Sequence, residues 1–163
     1  MININEKIPN VDLYILKDQK IKKIKSHELL SGRCIIFGIP GAFTTTCSTV
    51  HLPGFIQYKK KFSDLNVDFV GCIAVNDPYV MEAWGNVIDL EKSIVFISDG
   101  NSEFTEVLGL TLDLKDIGLG TRSRRYAMLI ENLIVKNLSV DEVRAGCVAS
   151  SADNFYKTIS NFN

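Results

Sequence analysis

The sequence predicts an α/β protein with a mixed central β-sheet and helices on both faces. Apolar runs typical of strands alternate with segments of helical spacing, and an antiparallel hairpin follows in the last third of the chain. With 163 residues and a hydrophobic fraction of 46%, the chain is large enough to bury a substantial core. We therefore expect one domain over residues 1–163.

The first half of the chain begins with a predicted hairpin and contains the most informative loop. Polar turn residues separate the two hairpin strands, and Pro53 and Gly54 are expected to interrupt or kink the helix in which they lie. The predicted elements are strands at 11–16 and 21–24, a short capped helix at 26–30, an apolar strand at 33–38, and a helix after Cys47 that continues to Leu65.

The second half of the chain alternates strands and helices and then forms a second hairpin. We expect buried strands at 67–75 and 94–97, a helix from 78 to 88, a short helix at 102–108, a hairpin of 126–130 with 133–138, and an amphipathic helix at 153–162. Residues 110–121 lack a clear period, and we expect a weakly structured stretch there.

Cys47 lies where the predicted strand 33–38 passes through a Pro40-Gly41 turn into a helix. The first turn of a helix presents unpaired N–H groups and the positive end of the helix dipole, which stabilise a thiolate relative to a thiol. Nearby hydroxyl groups, including that of Thr44, can donate to an anion. Cys47 is therefore the candidate nucleophile, and its position on a central strand–helix junction indicates a thioredoxin-like fold.

Composition excludes several classes of function. The net charge of −1 and the pI of about 6.1 give no field that would attract nucleic acid. No apolar run of about 18 residues could span a membrane, and the first residues lack the pattern of a signal peptide, so we expect a cytoplasmic protein.

The four cysteines, at positions 34, 47, 72 and 147, are scattered singly, so neither a zinc site nor another metal or cofactor is expected. His51 lies four residues after Cys47 on the same helix face. A Cys–His protease dyad normally takes its histidine from elsewhere in the fold, so we expect His51 to be structural, as we do Cys34.

The segment Pro-Gly-Ala-Phe-Thr-Thr-Thr-Cys-Ser at 40–48 resembles the active-site motif of the peroxiredoxins. The His-Leu-Pro-Gly-Phe segment at 51–55, and distant stretches at 75–79, 98–104, 118–126 and 135–138, resemble the type II, peroxiredoxin-5-like branch. One departure is Thr45, where that branch usually has proline. The resemblance covers essentially the whole chain and implies a thioredoxin-like fold and a thiol peroxidase that reduces hydrogen peroxide and organic hydroperoxides.

By this resemblance four residues form the catalytic site. Cys47 is the peroxidatic nucleophile, and Arg125, just before Tyr126, is the active-site arginine that holds both thiolate and peroxide. Thr44 offers its hydroxyl to the reacting oxygens, and Pro40 shields the sulfur from water. In the transition state charge moves from sulfur onto two oxygens, so fixed donors aimed at those oxygens lower the barrier.

Attack on peroxide leaves a sulfenic acid, which must condense with another thiol. Cys147, in a loop before the last helix, is the candidate resolving cysteine, because loops move at less cost than central strands. Cys72 matches the second cysteine of plant-like members but is expected to be buried, and direct attack by an external thiol remains open. Thioredoxin or glutaredoxin with glutathione is the expected reductant.

The type II branch often forms homodimers through loops around the active site, and Phe43, Tyr79 and Leu119 are apolar residues on such loops here. A homodimer is therefore expected.

Two other classes of protein are weighed against a peroxidase. A thioredoxin-like oxidoreductase would carry C-x-x-C, whereas position 44 is threonine. A redox sensor or a holdase binding module would still use Cys47, and catalytic consumption of peroxide would distinguish it.

Overall fold

The computed structural model describes residues 1–143 and 146–161, and a mixed sheet lies at the centre of this part of the chain. Its seven described strands have the order β2-β1-β5-β4-β3-β8-β9, in which β3, β4 and β5 are parallel and the other neighbours are antiparallel. The strands are β1 Asp12–Lys17, β2 Lys20–Lys25, β3 Arg33–Ile39, β4 Phe69–Ala74, β5 Val95–Ser98, β8 Tyr126–Glu131 and β9 Ile134–Val140. The predicted α/β class and both hairpins are confirmed.

Helices cover both faces of this sheet. They are α1 Ser26–Leu29, α2 Leu52–Ser63, α3 Pro78–Ile88, α4 Glu103–Val107 and α5 Ala152–Ser160. On one face of the sheet, the aromatic side chains of α2 and α5 pack on every second residue of β3 and β4. On the other face, α4 and the N-terminal residues pack on the residues between them. Each central strand is thus buried on both sides, which explains its nearly continuous apolar sequence.

The last helix begins one residue earlier than predicted. It begins at Ala152, where the side chain of Ser151 accepts a hydrogen bond from the backbone N–H of Asn154, and it ends at Ser160. Phe162, where the predicted helix ended, lies outside the described residues. Within residues 1–143 and 146–161, every helix falls short of the length and apolar character that a membrane-spanning helix requires.

The prediction of a weakly structured stretch at 110–121 was wrong. Strand β6, Thr111–Leu114, and strand β7, Gly120–Ser123, form a separate antiparallel ladder, joined through a 3₁₀ turn at Lys115–Ile117. Gly118 and Gly120 have positive φ angles of 77° and 68°, which lets the chain reverse between the strands. The ladder was missed because each strand has only four residues, too few for the Thr-Leu-Asp-Leu alternation of β6 to stand out, and because β7 has no apolar side chain.

A π-helical segment, Cys47–His51, precedes α2 without a break. The N–H of Leu52 bonds to the carbonyl of Cys47, five residues back. Pro53 follows at the first turn of α2 and has no N–H of its own, so the regular ladder of hydrogen bonds cannot run through this point. The predicted disturbance at Pro53 and Gly54 therefore takes the form of a widened helical turn, a feature frequent at functional sites.

Gly38 permits a close approach between β3 and β8 beside the candidate site. It pairs with Tyr126, and a Cβ atom at position 38 would lie only 2.0 Å from Cε1 of the tyrosine ring. Tyr126 is buried, so its ring has no open space into which it could move. This contact fixes the start of β8 and, with it, the residue that precedes it, Arg125.

Candidate active site

Cys47 lies at the beginning of the π-helical segment, directly after the loop that leaves the carboxyl end of β3. Its side chain is fully buried in the core on the α2 side of the sheet. The loop is held by a hydrogen bond from the backbone N–H of Ala42 to Oδ1 of Asn76, at 3.0 Å, which links it to the segment after β4. The nucleophile predicted from the sequence is thus at the predicted strand–helix junction.

Arg125 makes direct contact with the sulfur of Cys47. Its Nη2 donates a hydrogen bond to Sγ at 3.4 Å, although 78 positions separate the two residues in the sequence. The arginine is itself 8% exposed. A guanidinium that remains charged in such a buried position stabilises an anion on the sulfur more than it would in water. The structure therefore brings together the two residues that the sequence analysis paired only by resemblance.

His51 holds the other side of the same guanidinium. Nη1 of Arg125 lies 3.1 Å from Nδ1 of His51, and because arginine has only donors, Nδ1 is the acceptor. The proton of the ring is therefore on Nε2, which donates to the carbonyl oxygen of Ser150 at 3.0 Å. His51 is 1% exposed, so it is buried as expected, but its contact with Arg125 makes it part of the site.

Burial, together with the neighbouring positive charge of Arg125, lowers the pKa of His51 to about 3. The imidazole is consequently neutral at physiological pH and can accept the hydrogen bond from Arg125. This role was missed at the sequence level. The available signal was the position of His51 one helical turn after Cys47, which places both side chains on the same face.

Thr44 and Pro40 lie on the loop before Cys47. The hydroxyl of Thr44 donates to the carbonyl oxygen of Gly41 at 2.8 Å, so its lone pairs are free to accept a hydrogen bond from a bound hydroperoxide. The expectation that Thr44 donates to the reacting oxygens stays a prediction. Pro40 and Arg125 line a cleft of about 230 Å³ that also contains Leu112 and Arg124.

Two of the remaining cysteines are in the sheet. Cys72, on β4, is fully buried on the same face as Cys47, and burial raises its pKa well above the usual value, with the negative charge of a Cys47 thiolate adding to the effect. Cys34 is buried on the opposite face, and burial raises its pKa to about 12. The sheet therefore separates Cys34 from Cys47, and burial holds Cys34 and Cys72 as neutral thiols.

Cys147 lies outside the regular elements and is only partly buried. Burial is the main reason that its pKa is raised, to about 11, while the positive charge of Arg125 opposes that rise and the charge of Cys47 adds to it. The neighbouring positions Arg144 and Ala145, part of the loop named in the sequence analysis, lie outside the described residues.

Comparison with known proteins identifies the family. The family model for Redoxin matches residues 3–155. Peroxiredoxin-2D of Arabidopsis thaliana is 40% identical over 154 residues, which is 93% of this chain and 95% of that protein. This chain belongs to the type II peroxiredoxins. As a peroxiredoxin it is a thiol peroxidase, an oxidoreductase, and the resemblance seen in its sequence motifs is confirmed.

Solved peroxiredoxin structures share its fold. Reduced Prx3 from Vibrio vulnificus in complex with hydrogen peroxide has a TM-score of 0.91 and 35% identity, and the match covers 98% of this chain and 99% of that one. The Plasmodium falciparum antioxidant protein, a 1-Cys peroxiredoxin, has a TM-score of 0.90 and 30% identity, with the same coverage. The thioredoxin-like fold expected for this peroxiredoxin is therefore confirmed.

Proposed function

We propose that this peroxiredoxin reduces hydrogen peroxide and organic hydroperoxides by attack of the Cys47 thiolate on a peroxide oxygen. A sulfur–oxygen bond forms as the oxygen–oxygen bond breaks, so the sulfur is oxidised by two electrons to a sulfenic acid. The leaving alkoxide or hydroxide takes up a proton. The hydrogen bond of 3.4 Å from Nη2 of Arg125 to Sγ of Cys47 carries this proposal, because it aims a fixed positive charge at the reacting centre.

The other residues of the site have supporting roles in this proposal. Arg125 has donors that bind both the thiolate and the oxygen on which charge develops. Thr44 orients the peroxide through its hydroxyl, which the bond to Gly41 holds in one orientation. Pro40, at the edge of the cleft, limits the access of water to the sulfur. In the cell this turnover would serve antioxidant defence and redox homeostasis, in the cytoplasm.

A peroxidase assay with a thiol reductant tests the proposal. Wild-type protein is expected to consume many equivalents of peroxide, Cys47→Ser to consume none above background, and Cys34→Ser to retain most activity, because Cys34 is on the other face of the sheet. A single round of oxidation without turnover would instead indicate a redox sensor or holdase. Substantial turnover by Cys47→Ser would refute the assignment of the nucleophile.

We further propose that Cys147 resolves the sulfenic acid. Its sulfur attacks the Cys47 sulfur, a disulfide forms, and the sulfenic oxygen leaves as water with the proton of the Cys147 thiol. Two features support this choice over Cys72. Cys147 is in a segment outside the helices and strands, whereas Cys72 is fully buried within β4. Thioredoxin, or glutaredoxin with glutathione, would then reduce the disulfide.

Before Cys147 can attack the sulfenic acid, its thiol must also lose its proton. Since the pKa of this thiol is about 11, it is protonated at neutral pH until the segment opens to water or a base removes the proton. Peptide mapping after one equivalent of peroxide is expected to find a Cys47–Cys147 disulfide, lost in Cys147→Ser and kept in Cys72→Ser. A Cys47–Cys72 disulfide, or a sulfenic acid that only added glutathione captures, would contradict the proposal.

We also propose that the protein acts as a homodimer through the loops beside the site. Phe43 and Tyr79 are each 58% exposed. The hydrogen bond between Ala42 and Asn76 joins the loops that carry them, so both apolar side chains belong to neighbouring segments of one surface. Leu119, the third residue expected there, is partly exposed, and its carbonyl accepts a hydrogen bond from Arg122.

A further inference from the structure

A buried chain of hydrogen bonds continues beyond His51 to an acidic residue. Ser150 accepts from Nε2 of His51 through its carbonyl oxygen, and its hydroxyl donates to Oδ2 of Asp141 at 2.6 Å. Ser150 and Asp141 are 0% and 3% exposed. The complete order is therefore Asp141, Ser150, His51, Arg125 and Cys47, with every link inside the protein.

Asp141 also fixes the backbone that carries Cys147. Its Oδ1 accepts hydrogen bonds from the backbone N–H groups of Val148, Ala149 and Ser150, at 3.0, 2.6 and 3.4 Å. We call residues 146–150 the Cys147 segment. One carboxylate thus accepts hydrogen bonds from three successive backbone donors of this segment and from the hydroxyl at its end. Loss of such an acceptor leaves several buried donors unpaired.

The backbone of Asp141 is tied to the arginine pair at the start of β8. Its N–H donates to the carbonyl of Arg125 at 2.9 Å, and its own carbonyl accepts from Nη2 of Arg124 at 2.9 Å. Asp141 is therefore fixed relative to Arg125 from two directions: directly through the backbone, and through Ser150 and His51 to the guanidinium.

We propose that Asp141 is a positioning residue for the reaction of Cys47, because it holds Arg125 against the sulfur through Ser150 and His51 and couples this contact to the position of the Cys147 segment. This inference rests on the proposed function. The site is fully assembled only while the segment is docked on Asp141. When the segment moves so that Cys147 can reach Cys47, Ser150 leaves His51, and the imidazole that accepts from Arg125 loses the partner that orients it.

The coupling has a functional consequence. Peroxide attack takes place with the segment docked and Arg125 aligned, whereas disulfide formation takes place with the segment released and the guanidinium less constrained. A misplacement of about 1 Å at a catalytic group can lower a rate about 100-fold, so even a small displacement of Arg125 matters. Asp141 therefore favours the docked state, which is competent for peroxide attack, and opposes the released state.

The test compares Asp141→Ala with wild type by stopped-flow measurement of peroxide attack, followed through the fluorescence of the single tryptophan, Trp84, whose Nε1 donates to Oγ of Ser48 next to Cys47. We expect the second-order rate constant to fall about 10- to 100-fold. Mass spectrometry after a maleimide pulse should find Cys147 modified faster in Asp141→Ala than in wild type.

A double-mutant cycle separates this role from a general loss of stability. If Asp141 acts through Arg125, Asp141→Ala causes no further loss of rate in an Arg125→Ala background. Asp89→Ala is the matched control. Asp89 is also a buried carboxylate, and it accepts a hydrogen bond from the backbone N–H of Ile94, just before the start of β5. This substitution is expected to lower stability and leave the rate of peroxide attack unchanged.

Ser150→Ala keeps the experiment decisive if Asp141→Ala does not fold. It removes only the hydroxyl link, and we expect a smaller loss, about 3- to 10-fold, that is also absent in the Arg125→Ala background. An unchanged rate in folded Asp141→Ala or Ser150→Ala, or an equal loss with and without Arg125, would overturn the inference. Failure of the proposed function would look different, because wild-type protein itself would then not react with peroxide.

Discussion

Nη2 of Arg125 donates a hydrogen bond to Sγ of Cys47 at a distance of 3.4 Å, and Nη1 of the same guanidinium donates to Nδ1 of His51. One planar group thus bridges the nucleophile and a neutral histidine in a site from which water is largely excluded. The rigid fork of the guanidinium is suited to this bridge, because its donors have fixed directions. In the proposed mechanism, the electrostatic stabilisation of the Cys47 thiolate therefore depends on the orientation of one side chain.

Removal of the guanidinium is expected to slow peroxide attack severely. In Arg125→Ala we expect the second-order rate constant with hydrogen peroxide to fall about 100- to 1,000-fold, as for loss of a donor to a developing oxyanion. Arg125→Lys should be intermediate, since an ammonium group lacks the planar fork that binds sulfur and His51 together. Arg33→Ala, at the opposite end of β3, is the control and should react normally. A near-normal rate in Arg125→Ala would contradict this role.

The hydroxyl of Thr44 is expected to orient the peroxide. Thr44→Val removes the hydroxyl with little change of volume, and we expect the rate of peroxide attack to fall about 10-fold or more. Alkylation of Cys47 by iodoacetamide should change less, because that reagent does not need the hydroxyl. Thr49→Val is a matched control, since the hydroxyl of Thr49 also bonds a backbone carbonyl but is exposed. Equal slowing of both reactions would indicate a general disturbance of the loop.

The surface with Phe43 and Tyr79 is expected to mediate the homodimer. Light scattering should give about twice the chain mass of 18.2 kDa for wild type and one chain mass for Tyr79→Glu. An acidic residue is compatible with the first turn of α3, where position 79 lies, so this variant should fold. Leu90→Glu alters another exposed apolar residue, beyond the other end of α3, and should remain dimeric. A wild-type monomer at high micromolar concentration would refute the dimer.

The neutral state of His51 predicts a pH dependence of stability. Because burial lowers its pKa from 6.5 to about 3, the unfolded chain binds one more proton at this residue than the folded chain does between these pH values. The free energy of unfolding should therefore fall as the pH decreases from 6.5 towards 3. The slope attributable to His51 approaches about 1.4 kcal/mol per pH unit.

Urea denaturation at a series of pH values checks this prediction. His51→Gln has no titratable group at this position, so the difference in unfolding free energy between wild type and variant should shrink or reverse as the pH falls below 6.5. Above pH 6.5 the difference should be constant. Two curves that stay parallel from pH 7.5 to 4 would show that His51 titrates normally in the folded protein.

The contact between Gly38 and Tyr126 links stability to the position of Arg125. In Gly38→Ala the new methyl group would lie 2.0 Å from the ring of Tyr126, so the ring must move within a packed core. We expect a loss of about 1–3 kcal/mol in the free energy of unfolding and a slower peroxide reaction, since Arg125 precedes Tyr126. Gly54→Ala is the control, because its Cβ would make an ordinary contact of 3.5 Å with Ala152. Full stability of Gly38→Ala would contradict the packing argument.

Much of the architecture was predictable because a buried strand or helix has a recognisable local pattern of apolar residues in the sequence. The continuous apolar runs of β4 and β5 predicted central strands, and pairs of apolar segments joined by short polar turns predicted β1 with β2 and β8 with β9. Strand β6 and its partner β7 gave too weak a pattern to predict, since each has only four residues and β7 has no apolar side chain.

The sequence by itself determined the fold class, the strand–helix junction that carries Cys47, and the motif that predicts Arg125 as its partner. Only the tertiary structure decided which faces of the sheet hold Cys34 and Cys72, that His51 binds Arg125, and that hydrogen bonds through Ser150 connect His51 to Asp141. The physical reason is that the periods of helices and strands are fixed by neighbours in the chain. Hydrogen bonds between residues 74 to 99 positions apart depend on how the whole core packs.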